Sequence, residues 1–236
     1  MKENNFNLHT HYSIQSKLDN FELYVRRQSL TRFLARYELF KQTLDVKGSI
    51  IECGVHHGGG LMAWAKMSAG LEPMAIHRKV YGFDTFEGFP SVDKSDFTDI
   101  QENNHLVTGG FSAGKSSFEY INDAITEFDD NRFLNQFNKV ELIKGDATKT
   151  IPEFMEKNQH LIISLLFLDF DLYEPTKAAL EYFLTRVPKG GIIAFDEINN
   201  ASWPGETKAL FEQKFSLNHL KINKFYFEPN IAYIVL

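Results

Sequence analysis

Leu161-Ile-Ile-Ser-Leu-Leu-Phe-Leu168 runs directly into Asp169-Phe-Asp171, and this stretch decides the fold. An uncharged apolar run of that length, bounded by polar residues, reads as a strand buried on both faces, the habit of a parallel sheet. Gly191-Ile-Ile-Ala-Phe195 repeats the pattern and ends in Asp196-Glu197. In open parallel sheets, ligands bind in the crevice beyond the carboxyl ends of the strands. Acidic side chains converging on such a crevice repel one another unless a cation or a proton shares the site. The expectation is a metal-dependent enzyme.

Working outward, further strands are predicted at Ser49–Val55, Lys79–Asp84 and Val140–Gly145. Helices are predicted at Leu61–Ala69, from about Thr150 to Asn158, from Glu174 to about Arg186, and at Gly205–Phe215. Lys221–Phe227 and Ile231–Leu236 read as a terminal antiparallel hairpin around Glu228-Pro-Asn230. This alternation predicts a doubly wound, mostly parallel α/β sheet with right-handed crossovers. Ahead of it, Leu23, Leu30, Phe33, Leu34, Tyr37 and Phe40 recur at helical spacing, with Arg and Lys between them. Residues 1–47 are therefore read as a polar arm plus helices serving as a lid or an oligomer contact, and 48–236 as the main domain. The stretch 87–117 is rich in Gly, Ser, Asp and Asn and breaks the rhythm. A loop that long in a compact domain is usually functional or disordered, and because it leaves from the carboxyl end of the second strand it is read as an active-site loop able to close over the crevice.

Composition narrows the class. A chain of 236 residues suits one α/β domain, and 43% hydrophobic residues can build its core. A formal charge of −6 argues against a nucleic-acid partner, which needs a basic face. Cys53 is the single cysteine, so no intramolecular disulfide can form and a reducing cytoplasm is expected. The polar amino terminus has no apolar signal core, and no apolar run approaches the roughly 20 residues of a membrane span.

The first strand ends in Glu52-Cys-Gly54-Val-His-His-Gly58-Gly-Gly60, where glycines let the backbone turn sharply and approach a ligand. The spacing is neither G-x-G-x-x-G nor a phosphate-binding loop ending in Gly-Lys-Ser/Thr. The second strand ends at Asp84, where an acid can hold both ribose hydroxyls of an adenosine. The third ends in Lys144-Gly-Asp146-Ala147. These rim features, with no pyrophosphate signature, favour adenosine without pyrophosphate over NAD.

Ile51-Glu-Cys-Gly-Val55, Gly82-Phe-Asp-Thr-Phe-Glu-Gly-Phe-Pro90, Leu168-Asp-Phe-Asp-Leu-Tyr-Glu-Pro-Thr176 and Phe195-Asp-Glu197 together resemble the macrocin O-methyltransferase (TylF-type) family. That resemblance implies a class I, Rossmann-like methyltransferase using S-adenosylmethionine and Mg²⁺ to methylate hydroxyls of sugars or related natural products. It implies Glu52, Gly54 and Gly58 around the methionine part of the cofactor, Asp84 on the ribose, and Asp146 and Ala147 near the adenine. It further implies Asp169, Asp196 and Glu197 as metal ligands and Asp171 as general base. Glu197 stands where the family usually has Asp, and His57 where it often has Arg.

The residues alone allow this chemistry. A sugar hydroxyl needs a base or metal to become nucleophilic, and in-line displacement needs it placed against the methyl. Two residues apart on an extended chain, Asp169 and Asp171 would lie on one side, roughly 6–7 Å apart. The same acids could instead cap the helices that follow. His105, Tyr173 and Trp203 are candidate acceptor contacts or packing residues. Competing functions are a NAD-dependent sugar oxidoreductase, a metal-dependent hydrolase of a phosphorylated substrate, and a non-catalytic binding protein. The partner expected is a small sugar or glycoside, with a second copy of the chain against the N-terminal helices.

Overall fold

The computed structural model describes residues 12–99, 103–114, 116–213 and 219–236. The first part of the expected N-terminal arm, residues 1–11, lies outside them. Three helices lead in: α1 (Ile14–Asp19), α2 (Phe21–Tyr24) and α3 (Arg27–Gln42). Then β1 (Ser49–Cys53), α4 (Gly59–Leu71), β2 (Val80–Asp84), α5 (Ser117–Asp130), β3 (Val140–Lys144) and α6 (Ala147–Lys157) follow. The chain closes with β4 (Ile163–Leu168), α7 (Tyr173–Phe183), β5 (Ile192–Phe195), α8 (Gly205–Phe211), β6 (Asn223–Lys224) and β7 (Ala232–Val235).

The seven strands lie in the order β3-β2-β1-β4-β5-β7-β6. Pairings among β1 to β5 are parallel, and β7 runs antiparallel to both β5 and β6. The expected terminal hairpin exists, with β7 inserted beside β5. Strand order reverses between β1 and β4, the place where such sheets open a ligand crevice.

Side chains alternate between two cores, as the two-residue period of a strand requires. Ile50, Leu165, Phe167 and Ile192 pack with Leu39 and Phe40 of α3 and Trp64 of α4. Ile51, Leu166, Leu168 and Phe195 pack on the other face with Ile151, Phe154, Leu180 and Phe183 of α6 and α7. β1, β4 and β5 are buried at every position, which is why they read as unbroken apolar runs.

Helix α5 was not among the predicted elements. Phe118, Ile121, Ile125 and Phe128 lie at helical spacing, and Ile121 is buried against the α4 side of the core. The long segment before it folds down onto the domain. Asp96 is buried and accepts 2.6 Å from the Tyr173 backbone N–H, so a carboxylate from that segment caps α7. Lys208 donates to the carbonyls of Ser95 and Phe97, and Thr98 and Asn103 donate to Ala201 and Ser202 in the β5–α8 loop.

Candidate active site

The carboxyl ends of the parallel strands open onto a cavity of about 710 Å³. Its walls carry Glu52 and Gly54 from the end of β1, Asp84 from β2, Gly145 and Ala147 after β3, Asp169 and Asp171 after β4, and Asp196 and Glu197 after β5. Every rim region singled out in the sequence thus meets in one hollow.

The β1 turn is locked by a close approach. Gly54 has φ +90, and a Cβ there would lie 1.9 Å from the Asp169 carbonyl oxygen. Only glycine allows the ends of β1 and β4 to sit this near each other. Asp84 organises the next turn with both carboxylate oxygens. Oδ2 accepts from the His56 N–H and Oδ1 from the Phe86 N–H, each at 2.7 Å.

Glu52 is buried, with Arg36 of α3 3.7 Å away. Burial pushes its carboxyl up to about 7, against the pull of Arg36. Arg36 also faces the rings of Phe167 and Trp64, and its Nε has no hydrogen-bond acceptor among the described residues. It brings a guanidinium to the glycine-loop side of the cavity, near His57, which stands where the family often has Arg. His57 itself lines the cavity, its ring 4.0 Å from that of His56.

One helical turn earlier on α3, Arg32 enters the acidic cluster. Its Nη2 lies 3.1 Å from Asp169 Oδ2, and its Nη1 lies 3.0 Å from the Asp196 carboxylate. The Arg32 hydrogen bond goes to Asp196 Oδ2; Oδ1 lies 3.0 Å from the same Nη1 but receives no aligned hydrogen bond from the described residues. Asp169 is raised well above the usual carboxylate range by burial and by Asp196, with Arg32 opposing. Asp171 is pushed up to about 8 by burial, then by Asp196 and Glu197. Asp171 does not keep the extended geometry expected for Asp169-Phe-Asp171. β4 stops at Leu168 and Asp171 is left-handed, φ 62, a strained setting for a residue other than glycine.

The donor chemistry fits a hard divalent cation: clustered oxygen ligands, more carboxylates than cations, and one buried carboxylate oxygen that Arg32 faces at 3.0 Å without an aligned hydrogen bond. The geometry holds a guanidinium in that place instead. No three acidic, His or Cys side chains among the described residues are already converged on one point. Glu197 accepts from Asn200 through Oε2, and its backbone N–H donates 3.1 Å to Oε2 of the buried Glu206. Arg32, Arg36 and Glu206 were not among the predicted site residues.

Other predicted positions behave differently. Asp146 caps α6, accepting from Thr148 N at 3.0 Å and from Thr148 Oγ1 at 2.7 Å, and pairs with Lys149; among residues 145–147, Gly145 and Ala147 line the cavity. The Tyr173 hydroxyl donates 2.6 Å to Glu212 and accepts from Lys177, and the ring lies outside the cavity lining. His105 stacks on Phe111, their ring centres 5.1 Å apart, and does not reach the lining itself. Trp203 lines the cavity with Phe33, Phe89 and Phe111.

A parallel sheet with an antiparallel β7, a glycine turn after β1 and an acid ending β2 defines a class I S-adenosylmethionine-dependent methyltransferase. Residues 26–219 match the model of the macrocin-O-methyltransferase (TylF) family. The chain belongs to that family, and it is an O-methyltransferase with S-adenosylmethionine as methyl donor. It is similar to the crystal structure of CalS11, a calicheamicin methyltransferase, at 32% identity over 96% of this chain and 87% of that one, TM-score 0.90. The apo structure of CalS11, described as a TDP-rhamnose 3'-O-methyltransferase, matches at 31% identity over 96% and 88%, TM-score 0.80. The O-methyltransferase NovP shares the fold at 17% identity over 86% and 78%, TM-score 0.63. Among curated proteins, none matches this chain. No helix of the described residues is long and apolar enough to cross a membrane.

Proposed function

We propose that this chain is a Mg²⁺-dependent enzyme that methylates a hydroxyl of a sugar, either linked to a nucleotide or already part of a glycosylated natural product. The observation that carries the reading is Asp171. It is half-buried, backbone-strained and pushed up to about 8, beside two carboxylates that share a single guanidinium, in the same cavity as the Asp84 rim. Strain of this kind persists where the surroundings over-determine it, commonly at active sites.

In this account, Asp84 receives the ribose hydroxyls, and Glu52, Gly54 and Gly58 surround the methionine portion. Arg36 faces the methionine carboxylate. Asp146 contributes through its turn, since its side chain is spent on capping α6. When bound, S-adenosylmethionine supplies the methyl group, and its sulfur takes the electron pair of the broken bond. Asp169, Asp196 and Glu197 would hold Mg²⁺, whose charge, when bound, lowers the pKa of an acceptor hydroxyl. Asp171 takes the hydroxyl proton as the oxygen forms its bond to the methyl carbon. A base with a pKa near the working pH suits that step. Apolar residues left exposed on α1 and α2, Ile14, Leu18 and Leu23, support a homo-oligomer; a monomer on size-exclusion chromatography would end that part.

The test is Asp171→Asn. The variant should bind S-adenosylhomocysteine like the wild type, while methyl transfer to sugar acceptors falls roughly 10²–10⁴-fold. TDP-rhamnose, the substrate named for the similar CalS11, is the first acceptor to try. Wild-type turnover by the variant would remove Asp171 as the base.

A further inference from the structure

Three aromatic rings form one wall of the active-site cavity, and the chemistry of methyl transfer leaves them without a task. Phe111 lies 5.7 Å from Phe89 and 5.4 Å from Trp203, and Phe89 lies 6.1 Å from Trp203, measured between ring centres. All three line the cavity that holds Asp171, Asp169 and Asp196.

Folding alone does not account for the wall. Phe111 is 45% exposed and left-handed, φ 53. A bulky residue in that region is strained, and an exposed one gains little burial in return. The surroundings nonetheless hold it there. Phe89 N–H donates 2.9 Å to the Gly110 carbonyl, and Gly109 N–H donates 2.8 Å to the Phe89 carbonyl. Gly88 permits that ladder, because a Cβ there would sit 2.6 Å from the carbonyl oxygens of Gly109 and Gly110. His105 stacks behind Phe111 with an interplanar angle of 20°. Asn103 ties the same segment to the Ser202 carbonyl beside Trp203, at 2.9 Å. A built, strained and solvent-facing aromatic surface in a cavity is the mark of a recognition surface.

We infer that Phe89, Phe111 and Trp203 bind a planar ring carried by the acceptor, attached to the sugar whose hydroxyl is methylated. The inference rests on the methyltransferase reading and deepens it. The sugar belongs at the carboxylates, because the reacting hydroxyl must reach Asp171; the ring then rests on the wall. That ring has two chemical sources, the base of a nucleotide sugar or the aglycone of a glycoside.

The protein carries its own reporter. Its two tryptophans are Trp64, fully buried, and Trp203, on the wall. The full-length protein, saturated with S-adenosylhomocysteine, is titrated with p-nitrophenyl rhamnoside, TDP-rhamnose and methyl rhamnoside while tryptophan emission is followed. The inference predicts saturable quenching by a ring-bearing probe at roughly fivefold or more tighter affinity than the methyl glycoside, the range of one aromatic contact. Phe111→Ala should erase that advantage with S-adenosylhomocysteine affinity unchanged, and Phe111→Tyr should keep it. Whichever ring-bearing probe binds tighter identifies the source of the ring. Equal affinity for all three probes, no binding of any, or an unchanged preference in Phe111→Ala overturns the inference. Equal loss of all three in Phe111→Ala would instead put the sugar itself on the wall, which also overturns it. Failure of wild type to bind S-adenosylhomocysteine is a separate result and removes the methyltransferase reading beneath it.

Discussion

Replacing Arg32 by Gln removes the one guanidinium that bridges Asp169 and Asp196, at 3.1 and 3.0 Å. The side chains are 30%, 20% and 6% exposed, so the pairs are shielded from water without being dry. Near a protein surface, an effective dielectric of about 20 makes each contact at ~4 Å worth about 4 kcal/mol of gross attraction. Desolvation of three charged groups returns most of it, and breaking a buried pair from one side costs about 3–5 kcal/mol. Allowing for the exposed part of Arg32, the loss should be about 2–3 kcal/mol. In a domain of this size that lowers the melting temperature by roughly 5–10 °C. The two carboxylates would then lack their bridging cation, and a divalent ion would find its competitor gone. Thermal melts with chelator and with added Mg²⁺ measure both effects. The variant should recover most of its deficit with Mg²⁺ and should bind the ion about tenfold tighter by calorimetry. If it matched wild type in chelator, or gained no more from Mg²⁺ than wild type does, the view of Arg32 as the ion's stand-in would be refuted.

Further consequences concern pH and the loop. Burial raises Glu52 to about 7 from 4.5, so between those values the folded protein holds a proton that the unfolded chain has released. Its contribution therefore declines as pH rises through that window, by on the order of 3 kcal/mol at most. Urea melts from about pH 5 to about pH 8 should show Glu52→Gln losing less stability than wild type; parallel slopes would contradict this. With Asp171 raised to about 8, kcat/KM should climb with pH through an acidic limb, and bound Mg²⁺ should shift that limb lower. A profile flat from about pH 6 to 9 would be inconsistent with a titrating base there. Asp96→Ala frees the α7 amino terminus and one anchor of the long segment. It should speed proteolysis between residues 87 and 114 and raise acceptor KM more than it lowers kcat; unchanged proteolysis would show that the other anchors suffice.

The sheet was legible because β1, β4 and β5 are buried on both faces, and burial leaves an uninterrupted apolar signature. The rim was legible because an acid following such a strand has few other places to go. α5 was hidden because its apolar stripe of Phe118, Ile121, Ile125 and Phe128 directly follows a glycine-rich stretch that reads as loop. Arg32 and Arg36 were hidden for a different reason. On α3 they look like the charged side of an amphipathic helix, whereas that side faces carboxylates across the sheet edge. Their spacing of four residues was the available signal. Asp146 shows the opposite limit: the residue type that suits a ligand also suits a helix cap, and only the Thr148 hydrogen bonds reveal which use its side chain serves. Phe89 and Phe111 are far apart in sequence, and the backbone contacts of Gly88, Gly109 and Gly110 that bring them together leave no periodic signal.

The central claim is a sulfonium cofactor bound at the carboxyl edge of this sheet with a divalent ion at the neighbouring carboxylates. Calorimetric titration with S-adenosylhomocysteine, with and without Mg²⁺ and with NAD as control, tests it most directly. The account predicts micromolar binding of the sulfur nucleoside, a separate Mg²⁺ event lost in Asp169→Asn, and no binding of NAD. Binding of NAD, or of neither nucleotide under any condition, would contradict it.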